Sequence, residues 1–121
     1  MLVINANIMT MEGQNYSNGY ILIENKKIQK VGDMSEVPLA KAGEKIIDAS
    51  GRFVLPGLVD AHTHMGMFEA SMGFEGDDGN EESDPITPHL RGMDAVNPMD
   101  ISFKEAVSSG VTSVITGPGS A

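Results

Sequence analysis

The sequence predicts a mainly β, α+β chain that passes part-way along into a single βαβ unit, the first step of a larger α/β barrel. Three observations carry this. Short apolar runs rich in β-branched residues, separated by turn residues, fill the stretch up to Leu55. Pro56-Gly57 then marks a change of pattern. Beyond it come a strand, a long loop, a helix and a second strand, in that order.

The first strands are short. Leu2–Asn5 is apolar, and Tyr20–Glu24 and Lys27–Val31 flank Asn25-Lys26 as the arms of a two-residue hairpin would. Asn suits a positive φ at the first turn position, whereas Lys at the second is poorer than Gly. Ile46–Asp48 and Arg52–Leu55 predict two further strands around Ala49-Ser50-Gly51. Up to Leu55 the expected pattern is antiparallel and all-β.

After Pro56-Gly57, the run Leu58–His62 is a compact strand. No sustained period follows over residues 66–96, and a loop of that length is usually functional or disordered. Order resumes at Asn97-Pro98, where Asn is a good N-cap, Pro suits the first helical position, and Asp100 sits at the third, where a carboxylate favours the helix dipole. Phe103, Ala106 and Val107 share one helical face, and Gly110 is a natural stop. Val111–Thr116 then reads as a buried strand parallel to the first, closed by Gly117-Pro118-Gly119. The expected domains are 1–56, a portion of a β-sandwich, and 57–121, a βαβ unit carrying the long loop. Two parallel strands cannot bury both faces of a sheet, so the chain is expected to be part of a larger barrel. The alternative is a self-contained α+β domain.

Composition narrows the function. Of the 121 residues, 40% are hydrophobic and 21% charged, which fits a globular protein. With no cysteine, any metal must be held by histidine, carboxylate or backbone oxygen. A net charge of −9 argues against nucleic acid or an anionic membrane as partner. No leader opens the chain and no apolar run approaches the ~20 residues that span a bilayer, so a cytoplasmic location is expected. Seven of the 17 acids (Glu69, Glu75, Asp77, Asp78, Glu81, Glu82 and Asp84) lie between Gly66 and Pro88, where there is no Lys or Arg. This loop is either a lid or a solvated segment. Asp77-Asp78-Gly79-Asn80-Glu81-Glu82 lacks the alternating spacing of an EF-hand.

Asp60-Ala61-His62-Thr63-His64 is the sharpest feature. Alternate residues on a strand point the same way, so Asp60, His62 and His64 share a face. This spacing can bring two imidazoles to one ion, and in a parallel barrel the catalytic groups sit at the C-terminal ends of strands. Asp60, deeper along the strand, is expected to orient a neighbour by hydrogen bonding. His89, beside Pro88 and Arg91, is expected to be exposed or locally bonded. Gly117–Ser120 would lie on the histidines' rim, either as a plain turn or with backbone facing substrate. The nine methionines read as adaptable packing.

Taken together, Val54-Leu55-Pro56-Gly57-Leu58-Val59-Asp60-Ala61-His62-Thr63-His64 resembles the first-strand signature of the amidohydrolase superfamily. Tyr20–Ile28 resembles the β-sandwich those enzymes carry ahead of a (β/α)8 TIM barrel. Ser83–Pro88, Asp94–Pro98 and Gly110–Ala121 are similar to the imidazolonepropionase-like branch. The resemblance implies a metallohydrolase acting on amide, cyclic amide or amidine bonds of a small-molecule substrate. It implies that His62 and His64 are metal ligands for one or two divalent ions, zinc foremost. The family's other ligands, a lysine or glutamate, two more histidines and an aspartate, come from later strands and have no matching positions here. No catalytic residue is therefore expected in this chain, which alone should be inactive and, with strand edges unpaired, should self-associate. The alternative is a small acidic binding or assembly module whose His-x-His is incidental.

Overall fold

Strand β1 (Leu2–Met9) is the spine of the first half of the molecule. The computed structural model describes residues 1–70 and 72–119. These form two units, Met1–Pro56 and Gly57–Ala121. In the first, β1 pairs antiparallel with β2 (Asn15–Glu24), and β2 pairs antiparallel with β3 (Lys27–Asp33). The β2–β3 turn has positive φ at both central residues, 52° at Asn25 and 63° at Lys26, the two-residue turn whose twist matches a hairpin.

The other edge of β1 departs from the antiparallel expectation. Both β4 (Ile46–Asp48) and β5 (Phe53–Val54) run parallel to β1, pairing with Leu2–Ile4 and with Asn7-Ile8 respectively. They are thus two steps along one edge, with no hairpin between them. The physical reason is the Met34–Lys45 connection, long enough to carry the chain back for the crossover a parallel pair requires. Between the steps, Ala49 N–H donates to Ile4 O at 2.9 Å and Gly51 N–H to Asn5 O at 2.7 Å. Ala6, Ile8, Ile21 and Ala49 form the core, with Val3, Tyr16, Ile23, Val31 and Val54 packed against it.

The second unit is the βαβ element that the sequence predicts. Strand β6 (Leu58–Thr63) pairs in parallel with β7 (Val111–Thr116), and helix α1 (Ile101–Ser108) lies between them in sequence. The helix starts later than Asn97-Pro98 suggested. Asn97 instead closes a local turn, its Oδ1 accepting from Met99 N–H at 3.0 Å, and Asp100 is the N-cap, accepting from Ser102 N–H at 3.0 Å. Gly110, at φ 93°, lets the chain leave the helix. Entry to β6 is tight: a Cβ at Gly57 would collide with the Thr112 side chain.

The strands are less covered than expected. Val111 and Val114 are half-buried, but Ile115, read as part of a buried strand, is 64% exposed, and Leu58 and Val59 are also exposed. Two strands and one helix supply too little apolar surface to cover both sheet faces. Within residues 66–96 the described structure is irregular, with short 3-10 turns at Gly73–Gly76 and Gly92–Ala95 and a bridge between Phe68 and Asp77. No helix among the described residues is long and apolar enough to cross a membrane.

Candidate metal centre

The two histidines sit where β6 ends. His62 is the penultimate strand residue and is exposed; His64 is the first residue beyond the strand and is half-buried. The residue between them is tied to β7. Thr63 Oγ1 donates to Ile115 O at 3.2 Å, and its carbonyl accepts from Gly117 N–H at 3.1 Å. With Thr63 held, the flanking side chains share the opposite face, and their rings meet edge to face with centroids 5.4 Å apart and planes at 85°.

His64 is oriented further. Its Nδ1 lies 2.7 Å from Gly117 O. A carbonyl oxygen can only accept, so Nδ1 carries a proton, and in the neutral imidazole Nε2 keeps a free lone pair. Metal-ligating imidazoles are commonly fixed in this way, through the ring nitrogen that does not bind. The Phe68 ring lies 5.7 Å away at 69°, against the same imidazole. Asp60 does what its depth on the strand suggested: Oδ1 accepts from the His62 backbone N–H at 3.1 Å.

The pair fits a divalent ion. Two imidazoles bound at ~2.0–2.1 Å to a tetrahedral centre place their centroids roughly 5 Å apart, close to the spacing here. The donor set is neutral nitrogen, which suits zinc and its neighbours in the transition series. Among the described residues no group of three or more His, Cys, Asp or Glu gathers as a ligand set. His89 is exposed and does not join the pair.

Three carboxylates of the acidic loop accept from its own backbone. Asp77 accepts from Gly79 N–H at 3.3 Å, Glu81 from Ser83 N–H at 2.7 Å, and Asp84 from Ile86 N–H at 3.1 Å. The Ser83 contacts hold the Glu81 carboxyl below its ordinary range. Glu69 accepts from Asn97 Nδ2 at 2.6 Å. The loop is also pinned to the rim. Gly119 N–H donates to Gly79 O at 2.8 Å, and the Asn80 amide, oriented to donate, reaches the Gly79 and Gly119 carbonyls at 2.9 Å each. Gly79 has no room for a side chain, because Phe68 fills the space a Cβ would occupy. Sequence reasoning placed Gly117 on the rim without its carbonyl role; Ser120, placed there too, lies outside the described residues. It missed Phe68 and Gly66, and read Asp100 only as a first-turn carboxylate favourable to the helix dipole; the one visible signal for the turn was a glycine two residues after the histidine pair.

No family model matches the chain. An amidohydrolase of Hapsidospora irregularis is 41% identical over 106 residues, covering 85% of this chain and 10% of that protein. A 5-methylthioadenosine/S-adenosylhomocysteine deaminase of Bacillus cereus is 36% identical over 118 residues, covering 91% of this chain and 26% of the enzyme. The crystal structure of an amidohydrolase from Thermotoga maritima superposes with a TM-score of 0.82 at 39% identity, over 99% of this chain and 30% of that one. The chain belongs to the amidohydrolase family. It spans less than a third of the length of each of these relatives. A mainly β first unit followed by one βαβ element is the amidohydrolase architecture over the matched part, and the histidine pair lies inside it.

Proposed function

We propose that His62 and His64 are the first metal ligands of a metal-dependent amidohydrolase that hydrolyses amide, cyclic amide or amidine C–N bonds. The observation that carries this is the orientation of His64: Gly117 O takes the Nδ1 proton, leaving Nε2 free beside an imidazole 5.4 Å away. The names of relatives support the bond type. They include amidohydrolases, a deaminase and an N-substituted formamide deformylase of Arthrobacter pascens, the last 36% identical over 66 residues, 54% of this chain and 12% of that protein. Within the family, our narrower reading is the imidazolonepropionase-like branch, carried by the runs Ser83–Pro88 and Asp94–Pro98.

A divalent ion, zinc foremost, would acidify water to supply a nucleophile at neutral pH and would polarise the scissile carbonyl. The chain's own residues hold and orient. His62 and His64 present nitrogen, Asp60 fixes the backbone at His62, and Gly117 fixes the ring of His64. Proton transfer is assigned to none of the described residues. A four-coordinate zinc site needs more than two protein donors, so the 121 residues alone bind metal weakly and do not turn over substrate.

Calorimetric titration of the chain with zinc tests the assignment. The expected result is one ion bound with a dissociation constant weaker than micromolar, and loss of that binding in His62→Ala and in His64→Ala. Undiminished binding by the double variant would overturn it, and would make the pair incidental, as in an acidic binding module.

A further inference from the structure

Asp100 is the one charged residue buried as a whole among the described residues, 6% exposed. Its two oxygens do different things. Oδ1 caps helix α1 by accepting from Ser102 N–H at 3.0 Å, and Oδ2 accepts from Gly66 N–H at 3.1 Å, 34 residues earlier in the chain. Hydrogen bonds from Ser102 and Gly66 hold its carboxyl below the ordinary aspartate range, so it serves both donors as an anion.

Gly66 matters because of where it lies. Met67 N–H donates to His64 O at 3.0 Å, closing a four-residue turn from His64 to Met67, and Gly66, at φ 82°, is its third residue. That conformation is the type II turn, which calls for glycine there. The turn is gripped on every side. Gly66 O accepts from Asn97 N–H at 2.8 Å, Met65 O accepts from Thr116 Oγ1 at 2.8 Å, and Met67 is buried to 1% exposure. A Cβ at Gly66 would come within 2.9 Å of Val96 Cγ1, 3.0 Å of Phe103 Cε2 and 3.1 Å of Asn97 O, so the position has no room for a side chain. His64 is the first residue of this turn, and its carbonyl is the acceptor that closes it.

We propose that Asp100 is a positioning residue for the metal pair: by gripping Gly66 it sets the turn that aims the His64 imidazole at Gly117 O and away from it through Nε2. This deepens the metal reading and rests on it. Removal of a group that orients a metal ligand through another typically lowers metal affinity 10–100-fold, and that is the size of effect expected here.

Two substitutions separate the cap from the grip. Asp100→Ser keeps a capping oxygen but is too short to reach Gly66; Asp100→Asn keeps a cap but turns an N–H toward the Gly66 N–H. In both, the helical circular dichroism signal stays and zinc affinity falls about 10-fold or more. The imidazole nitrogen NMR signature of His64, one protonated Nδ1 and one free Nε2, gives way to a mixture of tautomers. An unchanged His64 signature and unchanged zinc affinity in these helical variants would overturn the proposal. In the unsubstituted chain, hydrogen exchange at the Gly66 amide gives a reading that needs no variant: protection is expected, and free exchange would equally overturn it. If the unsubstituted chain binds no zinc, the metal reading falls, while the His64 nitrogen signature still decides the role of Asp100.

Discussion

His64 and Gly117 are 53 residues apart, yet the imidazole Nδ1 stands 2.7 Å from the glycine carbonyl oxygen. Residue 64 has just left β6 and residue 117 has just left β7, so the contact spans the two strand ends. The parallel register, with Thr63 opposite Thr116, brings them level. Sheet pairing therefore selects a tautomer, and the lone pair it frees is the one a metal would use.

The β2–β3 hairpin carries a local conflict that a substitution can relieve. Lys26 holds φ 63° in a turn position that prefers glycine. Lys26→Gly is expected to stabilise the chain by about 0.5–1 kcal/mol, the strain released less the added backbone entropy. A urea melt reads it directly; a lower midpoint for the variant would contradict this account.

Acid should loosen the first unit through Asp48. Its Oδ1 accepts from Asn5 Nδ2 at 3.0 Å and from Ser50 N–H at 2.8 Å, and the Asn5 contact is the larger cause of a carboxyl held below its ordinary value. A depressed folded-state value means that this contribution is complete above the unfolded pKa of ~3.9 and is lost as pH falls through the folded one. Stability measured from pH 6 down to about 2 should show a smaller acid loss in Asp48→Asn than in the unsubstituted chain. Equal acid limbs would rule Asp48 out as a contributor.

Gly79→Ala tests the wall beside His64. The new methyl meets the Phe68 ring, and overpacking of this kind costs about 1–3 kcal/mol. Phe68 would have to move off the imidazole it faces, so the His64 ring proton shifts should change along with the melting temperature. A variant with wild-type stability and unmoved His64 shifts would show that the ring has room to spare.

Legibility in the sequence followed the range of the interactions. Local rules gave the β2–β3 hairpin at Asn25-Lys26, the strand carrying His62, and the stop at Gly110, because turn chemistry and side-chain alternation act over a few residues. The direction of β4 and β5 was not legible: Ile46–Asp48 has the same pattern whether it pairs up or down β1. The helix start moved from Asn97 to Asp100 because both residues are good caps and tertiary packing chose between them. Gly66 N–H needed an acceptor, and only the later residue supplies one there. The histidine pair was visible as a motif, but the partners that orient it come from just past β7 and from the loop, at separations no local pattern records.

The crowding of Gly57 against Thr112 reaches further than the foot of β6 where it occurs. Strand side chains alternate, so sliding β6 by a single residue past β7 would turn Val59, Ala61 and Thr63 to the face the imidazoles now take and send both imidazoles to the reverse face. A hydrogen atom in place of a methyl, at the opposite end of the strand from the histidines, thus lets β6 sit close enough to β7 for this register to form.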